Sequence, residues 1–248
     1  MLKLGLLFIS TPFDLESANF LSKNSDIIKI ASSDNNFFKL IDVVLKSKKP
    51  VILSTGMASL NDINQSLQIL KKYKKKNIVL LHCVSSYPTE LKDMNLKRID
   101  LLKKRFKLQV GLSDHSVSFT PALVAIAKGA PIIEKHVTYS KKLKGPDHKA
   151  SLEIKDFKIF VDYIKETEVL CNSQLQKIIS SEKNVKKVSR KSIVSANDIP
   201  KGKKITPSDI CFKRPGYGIS PLDRDKIIGR KTLRKISADK VILKKDLF

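Results

Sequence analysis

Gln109-Val110-Gly111-Leu112-Ser113-Asp114-His115 and Ile132-Ile133-Glu134-Lys135-His136 decide how this chain folds. Each stretch begins apolar and ends on polar, ionisable residues. Between them, Phe119–Lys128 has helical apolar spacing. A short apolar run, an amphipathic helix and a second apolar run make a βα unit. Strands that are apolar throughout, rather than alternating, are buried on both faces, as in a parallel sheet covered by helices.

The same pattern extends outward. Strands are predicted at Leu4–Ser10, Ile27–Ala31, Val51–Ser54, Ile78–Cys83, Gln109–Leu112 and Ile132–His136. Helices are predicted at about Leu15–Lys23, Phe37–Lys46, Leu60–Lys72, Leu96–Phe106, Phe119–Lys128 and Ile154–Leu170. Regular β-α alternation points to a doubly wound sheet or a (β/α) barrel. Polar residues follow every strand: Ser10-Thr11, Ser32-Ser33-Asp34, Ser54-Thr55, His82 with Ser85-Ser86, and the two triplets that end in His115 and His136. A barrel gathers all its strand ends at one mouth, whereas an open sheet concentrates function at a switch point. The polar ends therefore favour the barrel, although six units are visible and closure needs eight.

Residues 171–190 are polar and rich in Ser and Lys, and read as a connector. Beyond them, short strands at Ser192–Ser195, Lys204–Ile205, Ile210–Lys213 and Val241–Ile242 are separated by turn signals such as Pro200-Lys201-Gly202. The expected organisation is an α/β domain over residues 1–170, a linker over 171–190 and a small β-rich domain over 191–248.

The 248 residues carry 48 Lys and Arg against 24 acids, a net charge of +24. The lysines are spread over the whole chain, including the run from Lys71 to Lys76. Aromatic residues make up only 6%, without Trp, and do not interleave with the basic runs. That argues against nucleic acid as a partner; the charge suits long-range attraction of small anions. No stretch approaches the length of a membrane span. Three scattered cysteines, Cys83, Cys171 and Cys211, without a CxxC pair, predict a reducing, cytoplasmic setting. Cys83, inside an apolar run, reads as a core residue.

His115 and His136 end consecutive strands. Neighbouring parallel strands lie about 4.8 Å apart, so both imidazoles can converge above the mouth. Two His side chains from adjacent strands suit a divalent transition metal such as Mn²⁺ or Zn²⁺. A lone His after a strand is usually a polar rim residue; the pair says more. Lys29, inside the apolar strand Ile28-Lys29-Ile30, needs an anionic partner. Lys29, Ser32, Ser54 and Ser113 could share a phosphate or carboxylate, although for any one of these serines taken singly a helix cap at a βα turn is the default reading.

The ordered strings Ser10-Thr11-Pro12-Phe13-Asp14, Lys29-Ile30-Ala31-Ser32, Leu53-Ser54-Thr55-Gly56-Met57, Leu81-His82-Cys83 with Tyr87-Pro88, Gly111-Leu112-Ser113-Asp114-His115, Glu134-Lys135-His136 and Gly145-Pro146-Asp147-His148 resemble the sialic acid synthase family. That family covers N-acetylneuraminate, legionaminate and pseudaminate synthases. Lys213-Arg214-Pro215-Gly216-Tyr217-Gly218 resembles the motif of its antifreeze-like (SAF) domain.

The resemblance implies a (β/α)8 TIM-type barrel followed by a SAF domain. It implies condensation of phosphoenolpyruvate with an N-acylated amino sugar, giving a nine-carbon 2-keto acid and phosphate. It also implies a divalent metal, with Mn²⁺ expected and Mg²⁺ or Co²⁺ as alternatives, held by His115 and His136. Lys29, Ser32, Ser54, Ser85 and Ser113 match groups around phosphoenolpyruvate, and Tyr87 and Asp147 match the sugar side. Asp34, where many members carry Glu, matches a group that contacts the sugar or helps move a proton, and with Lys29 it is a catalytic candidate. Arg214 matches a residue offered to the partner subunit's mouth in a domain-swapped homodimer. Family members carry two βα units before the first strand seen here. The expectation is a barrel lacking about its first two units, with little activity as this chain alone. A non-catalytic barrel that binds a glycan or a protein is the competing expectation.

Overall fold

Alternation along each strand sorts the side chains into two sets, and that sorting builds the sheet. Ile28 and Ile30, Val51 and Leu53, Leu80, and Val110 and Leu112 pack with the buried helix residues Leu40, Ile41, Val44, Ile63, Ile99 and Leu102 in one core. The residues between them (Lys29, Ser54, Cys83, Ser113 and Glu134) turn to the other side and line a cleft. Successive strand residues point to opposite faces, so one apolar run supplies both helix packing and cleft wall.

A computed structural model describes residues 4–72, 77–171 and 178–248. Most of the lysine run Lys71–Lys76 and part of the 171–190 connector therefore lie outside the described residues. The chain divides into two compact units, Met1–Ser173 and Gln174–Phe248.

In the first unit, β1 (Ile9–Ser10), β2 (Ile27–Ile30), β3 (Val51–Ser54), β4 (Ile78–Cys83), β5 (Gln109–Asp114) and β6 (Ile133–Lys135) form one sheet in chain order. Every pairing is parallel. Helices α1 (Leu15–Asn24), α2 (Phe38–Lys46), α3 (Leu60–Lys72), α4 (Lys97–Phe106), α5 (Thr120–Ala127) and α6 (Ile154–Cys171) follow the strands. The architecture is an open, six-stranded parallel half-barrel. A separate ladder pairs β7 (Val137–Thr138) with β8 (Leu152–Glu153) just before α6.

Local chemistry sets the boundaries. The Asp14 carboxylate accepts the Ser17 N–H at 2.7 Å and starts α1. Ser59 and Asp62 cap α3 reciprocally, Ser59 N–H donating to Asp62 at 2.8 Å and Asp62 N–H to Ser59 Oγ at 3.2 Å. Gly111 lets the Ile132 carbonyl reach the Leu112 N–H at 2.9 Å; a Cβ there would collide with that carbonyl and with Leu81.

Two expectations need correction. The strand expected at Leu4–Ser10 shrinks to Ile9–Ser10, the residues in ladder register with Ile27 and Ile28; Phe8 just before them bonds to Asp26, its carbonyl accepting the Asp26 N–H at 2.9 Å and its N–H donating to the Asp26 carboxylate at 2.7 Å. Leu4, Leu6 and Leu7 are exposed. The last strand of the sheet ends at Lys135, so His136 stands just beyond it.

In the second unit, α7 (Ser180–Ser189) occupies part of the stretch that reads as a polar connector. Strand β9 (Ser192–Ser195) pairs antiparallel with β10 (Ile210–Lys213), and α8 (Arg224–Ile227) follows. The expected strands at Lys204–Ile205 and Val241–Ile242 are single bridges, Lys204 to Lys231 and Val194 to Val241. Isoleucine dominates the core: Ile193, Ile199, Ile205, Ile219, Ile227, Ile236 and Ile242. Two buried carboxylates brace it, Asp209 accepting the Thr206 N–H and Asp246 the Leu243 N–H, each at 2.9 Å.

Candidate active site

The cleft at the C-terminal ends of the strands has a volume of about 400 Å³. It draws on all six strands or the turns that follow them: Thr11 after β1, Lys29 and Ser32 from β2, Ser54 from β3, Cys83 and Ser85 from β4, Ser113 and His115 from β5, and Glu134 and His136 from β6. Strand C-termini are where barrels place their chemistry. A second groove, of about 470 Å³, lies at the opposite strand ends among Ile27, Val51, Ile78, Leu108 and Ile132, and is largely apolar.

The imidazoles of His115 and His136 are 5.1 Å apart between ring centroids and inclined at 76°. His115 Nδ1 lies 3.0 Å from the Val84 carbonyl. A carbonyl only accepts, so Nδ1 carries a proton, and in the neutral ring Nε2 is the nitrogen that keeps its lone pair. The His136 Nδ1 faces Asp147 Oδ2 at 3.8 Å. Burial lowers the proton affinity of both rings. For His115 the hydrogen bonds to Cys83 and Val84 and the charges of Cys83 and Glu134 outweigh burial, and its pKa is raised. For His136 burial and the neighbouring His115 prevail over Asp147 and Glu134, and its pKa is lowered. Tyr87 covers the pair, its ring 4.1 Å from His115 and 5.7 Å from His136. Burial, then the charges of Cys83, Asp147 and Glu134, raise the Tyr87 hydroxyl pKa.

The donor chemistry of this pair fits two positions of a divalent metal: two imidazoles, one with its tautomer fixed by a carbonyl, as metal-bound His usually is. Among the described residues no group of three or more His, Cys, Asp or Glu side chains is arranged to hold a metal. A metal here would thus leave positions open for water or substrate, the pattern of catalytic rather than structural sites.

The anion-binding candidates converge. Ser32 Oγ donates to Ser54 Oγ at 2.9 Å and accepts the Gly56 N–H at 3.0 Å. None of these serines caps a helix. A Cβ on Gly56 would meet Ser85 Oγ, Ser32 Oγ and Cys83 Sγ, so the bare glycine keeps three polar groups together. The anionic partner that Lys29 requires comes from the chain: Lys29 Nζ donates to Glu134 Oε1 at 2.9 Å. Ser113 Oγ donates to the same oxygen at 2.6 Å.

Not every candidate reaches the cleft. The Asp34 carboxylate accepts the Ser33 hydroxyl at 2.7 Å and is absent from the lining. Asp147 is not among the lining residues and faces the site beside His136. Arg214 belongs to the second unit, where it is exposed. Two residues of the site escape sequence reasoning. Glu134 reads as one polar residue of a strand end, and Cys83 as core. Cys83 is buried, but its sulfur faces the cleft, 3.9 Å from His115 Nδ1 and 3.8 Å from Ser85 Oγ. Burial pushes the thiol up, but hydrogen bonding to His115 and Ser32 and the His115 charge bring it down to about 7. Strand parity is the signal that finds both: Cys83, Ser113 and Glu134 share the face of Lys29.

A parallel half-barrel with a polar mouth at its strand C-termini, lined by a histidine pair and a lysine–carboxylate contact, defines the class: an α/β scaffold of the barrel type. Residues 2–176 match the NeuB family and residues 190–247 match the SAF domain, and the chain belongs to the NeuB family. It is 41% identical over 246 residues to an uncharacterized protein of Methanocaldococcus jannaschii, covering 99% of this chain and 73% of that one. It is 38% identical over 243 residues to the N,N'-diacetyllegionaminic acid synthase of Campylobacter jejuni, covering 97% and 73%. Its fold superposes on spore coat polysaccharide biosynthesis protein E from Chromobacterium violaceum with a TM-score of 0.86 at 24% identity, over 100% of this chain and 75% of that one. Among the described residues no helix is long and apolar enough to cross a membrane.

Proposed function

We propose that this chain carries the phosphoenolpyruvate and metal side of a sialic-acid-type synthase, which joins phosphoenolpyruvate to an N-acylated amino sugar. The observation that carries the proposal is the convergence of Lys29, Ser113 and the His115–His136 pair on one cleft, in a chain of the NeuB family. The similarity to a diacetyllegionaminic acid synthase supports a diacetamido sugar as acceptor, with N-acetylmannosamine as the alternative.

In the condensation, C3 of phosphoenolpyruvate forms a bond to the aldehyde carbon of the open-chain sugar. The carbonyl electron pair moves to oxygen, which takes a proton. Water adds at C2, and the C2–O bond to phosphate breaks, leaving the 2-keto acid. A divalent metal such as Mn²⁺, held by His115 and His136, supplies Lewis-acid polarisation of the aldehyde when bound. The chain's own groups do the rest. Lys29 meets the substrate's anionic oxygens, and the Ser32–Ser54 pair, Ser85 and Ser113 provide hydroxyl donors. Tyr87 walls the sugar side, Asp147 orients His136, and Asp34 assists in proton movement or sugar contact. The same resemblance assigns Arg214 to the substrate site of the partner subunit in a homodimer.

Calorimetric titration of phosphoenolpyruvate with and without Mn²⁺ tests the assignment, followed by assay of phosphate release with each amino sugar. Saturable, Mn²⁺-enhanced binding that Lys29→Gln abolishes is expected. Absence of phosphoenolpyruvate binding in the presence of Mn²⁺ would refute it. A non-catalytic barrel would have no need to keep Lys29, Ser113, His115 and His136 converged.

A further inference from the structure

We infer that the Glu134 carboxylate is an internal stand-in for the substrate anion, occupying the anion seat until a phosphate- or carboxylate-bearing ligand displaces it. The inference builds on the anion site proposed above and adds to it a competitor supplied by the chain itself.

One oxygen, Glu134 Oε1, accepts from Lys29 Nζ at 2.9 Å and from Ser113 Oγ at 2.6 Å. The two donors come from β2 and β5, with β3 and β4 between them, so the carboxylate bridges the concave face of the sheet. A ligand oxygen held by Lys29 and Ser113 would need the same point in space. Among the described residues that line the cleft, Glu134 is the one carboxylate and Lys29 the one lysine or arginine. The charge of Lys29 is therefore already answered.

An ammonium this little exposed would be costly to leave unpaired on the cleft face, and Glu134 removes that cost while no ligand is present. Lys29 and Glu134 retain side-chain exposures of 19% and 30%, so the pair remains reachable from the cleft. Exchange of one charge-assisted contact for another is then the route by which an anion enters. The carboxylate lowers the affinity for every anion at this point. It thereby favours ligands that bring further contacts over simple ions.

Binding of inorganic phosphate and of phosphoenolpyruvate to the full chain and to Glu134→Gln, by calorimetry, tests this. The amide keeps the shape and an acceptor for Ser113 but removes the charge. Both anions are expected to bind Glu134→Gln about tenfold more tightly, the scale of one charged hydrogen bond no longer competing. Glu134→Asp, which withdraws the carboxylate by one methylene and keeps the charge, is expected to lie between. Glu90→Gln removes an exposed carboxylate that pairs with Lys92, and is expected to leave both affinities unchanged, which separates the effect from the overall positive charge. If Glu134→Gln binds phosphate no more tightly than the parent, or not at all, the inference fails. If phosphate tightens but phosphoenolpyruvate binds to neither form, the substrate assignment fails while the internal competitor stands.

Discussion

Lys135 Nζ donates to Asp114 Oδ2 at 2.7 Å, with side-chain exposures of 1% and 0%. The two residues are register partners across β5 and β6, and each immediately precedes a histidine of the site. Asp114 also accepts the Ser116 N–H at 2.8 Å, and Lys135 donates to the Ser118 carbonyl at 3.2 Å. Facing away from the cleft, this buried pair fixes the relative height of the two strand ends. Burial lowers the Lys135 pKa, against the pull of Asp114.

Lys135→Met leaves the Asp114 carboxylate buried without its cation. A loss of about 3–5 kcal/mol is expected, read as a reduced urea midpoint. The double change Asp114→Leu with Lys135→Met should recover most of it, because two apolar groups leave no orphan charge. A single substitution that costs under about 1 kcal/mol would place the pair among dispensable surface contacts.

Mn²⁺ binding, followed by electron paramagnetic resonance, should be lost in both His115→Ala and His136→Ala. Nitrogen chemical shifts of the metal-free protein should show His115 protonated on Nδ1, because the Val84 carbonyl can accept only from that atom. An Nε2–H tautomer would contradict the orientation assigned to the ring.

The Cys83 thiol, brought to about 7, should be alkylated with a pH midpoint near that value. The cause is specific. Burial alone would raise the thiol, and hydrogen bonding to His115 is the largest effect against it. His115→Ala should therefore move the midpoint upward, whereas a change at the exposed Cys171 should leave it in place.

His82 faces the helices rather than the cleft. Its Nε2 lies 2.7 Å from the Met94 carbonyl, and its Nδ1 is buried with no protein partner. Burial, aided by the Arg98 charge, holds its pKa below the usual 6.5. Between that lowered value and 6.5 the unfolded chain binds more protons than the folded one, so stability rises with pH in this window. The His82 contribution is thus intact above about pH 6.5 and lost as pH falls through the folded value. Urea midpoints at about pH 7.5 and about pH 5.5 should converge in His82→Gln relative to the parent.

Where burial and hydrophobicity coincide, the sequence discloses structure to the residue. The strands Val51–Ser54 and Ile78–Cys83 match their expected bounds, and the helix from Leu60 its expected start, because each apolar run is enclosed by neighbours. The N-terminal run misleads for the opposite reason: Leu4, Leu6 and Leu7 are apolar but exposed. Helix α7 is hidden by polarity, with no buried residue to mark a face. At the site, Lys29, the serines and the two histidines are legible as polar residues at strand ends. Glu134 is not, because its part depends on its side chain reaching Lys29 on β2 and Ser113 on β5 at once.

The half-barrel also bears on how tightly a ligand can be held. His115 follows β5, which is paired on both sides, whereas His136 follows β6, which is paired in this sheet only to β5. Outermost strands open locally at lower free-energy cost than interior ones, and their amides exchange with solvent faster. A ligand that grips both imidazoles holds that outer strand to its neighbour. Its measured affinity is therefore net of the local opening equilibrium, and binding should appear as slowed amide exchange along Ile133–Lys135 rather than along Gln109–Asp114.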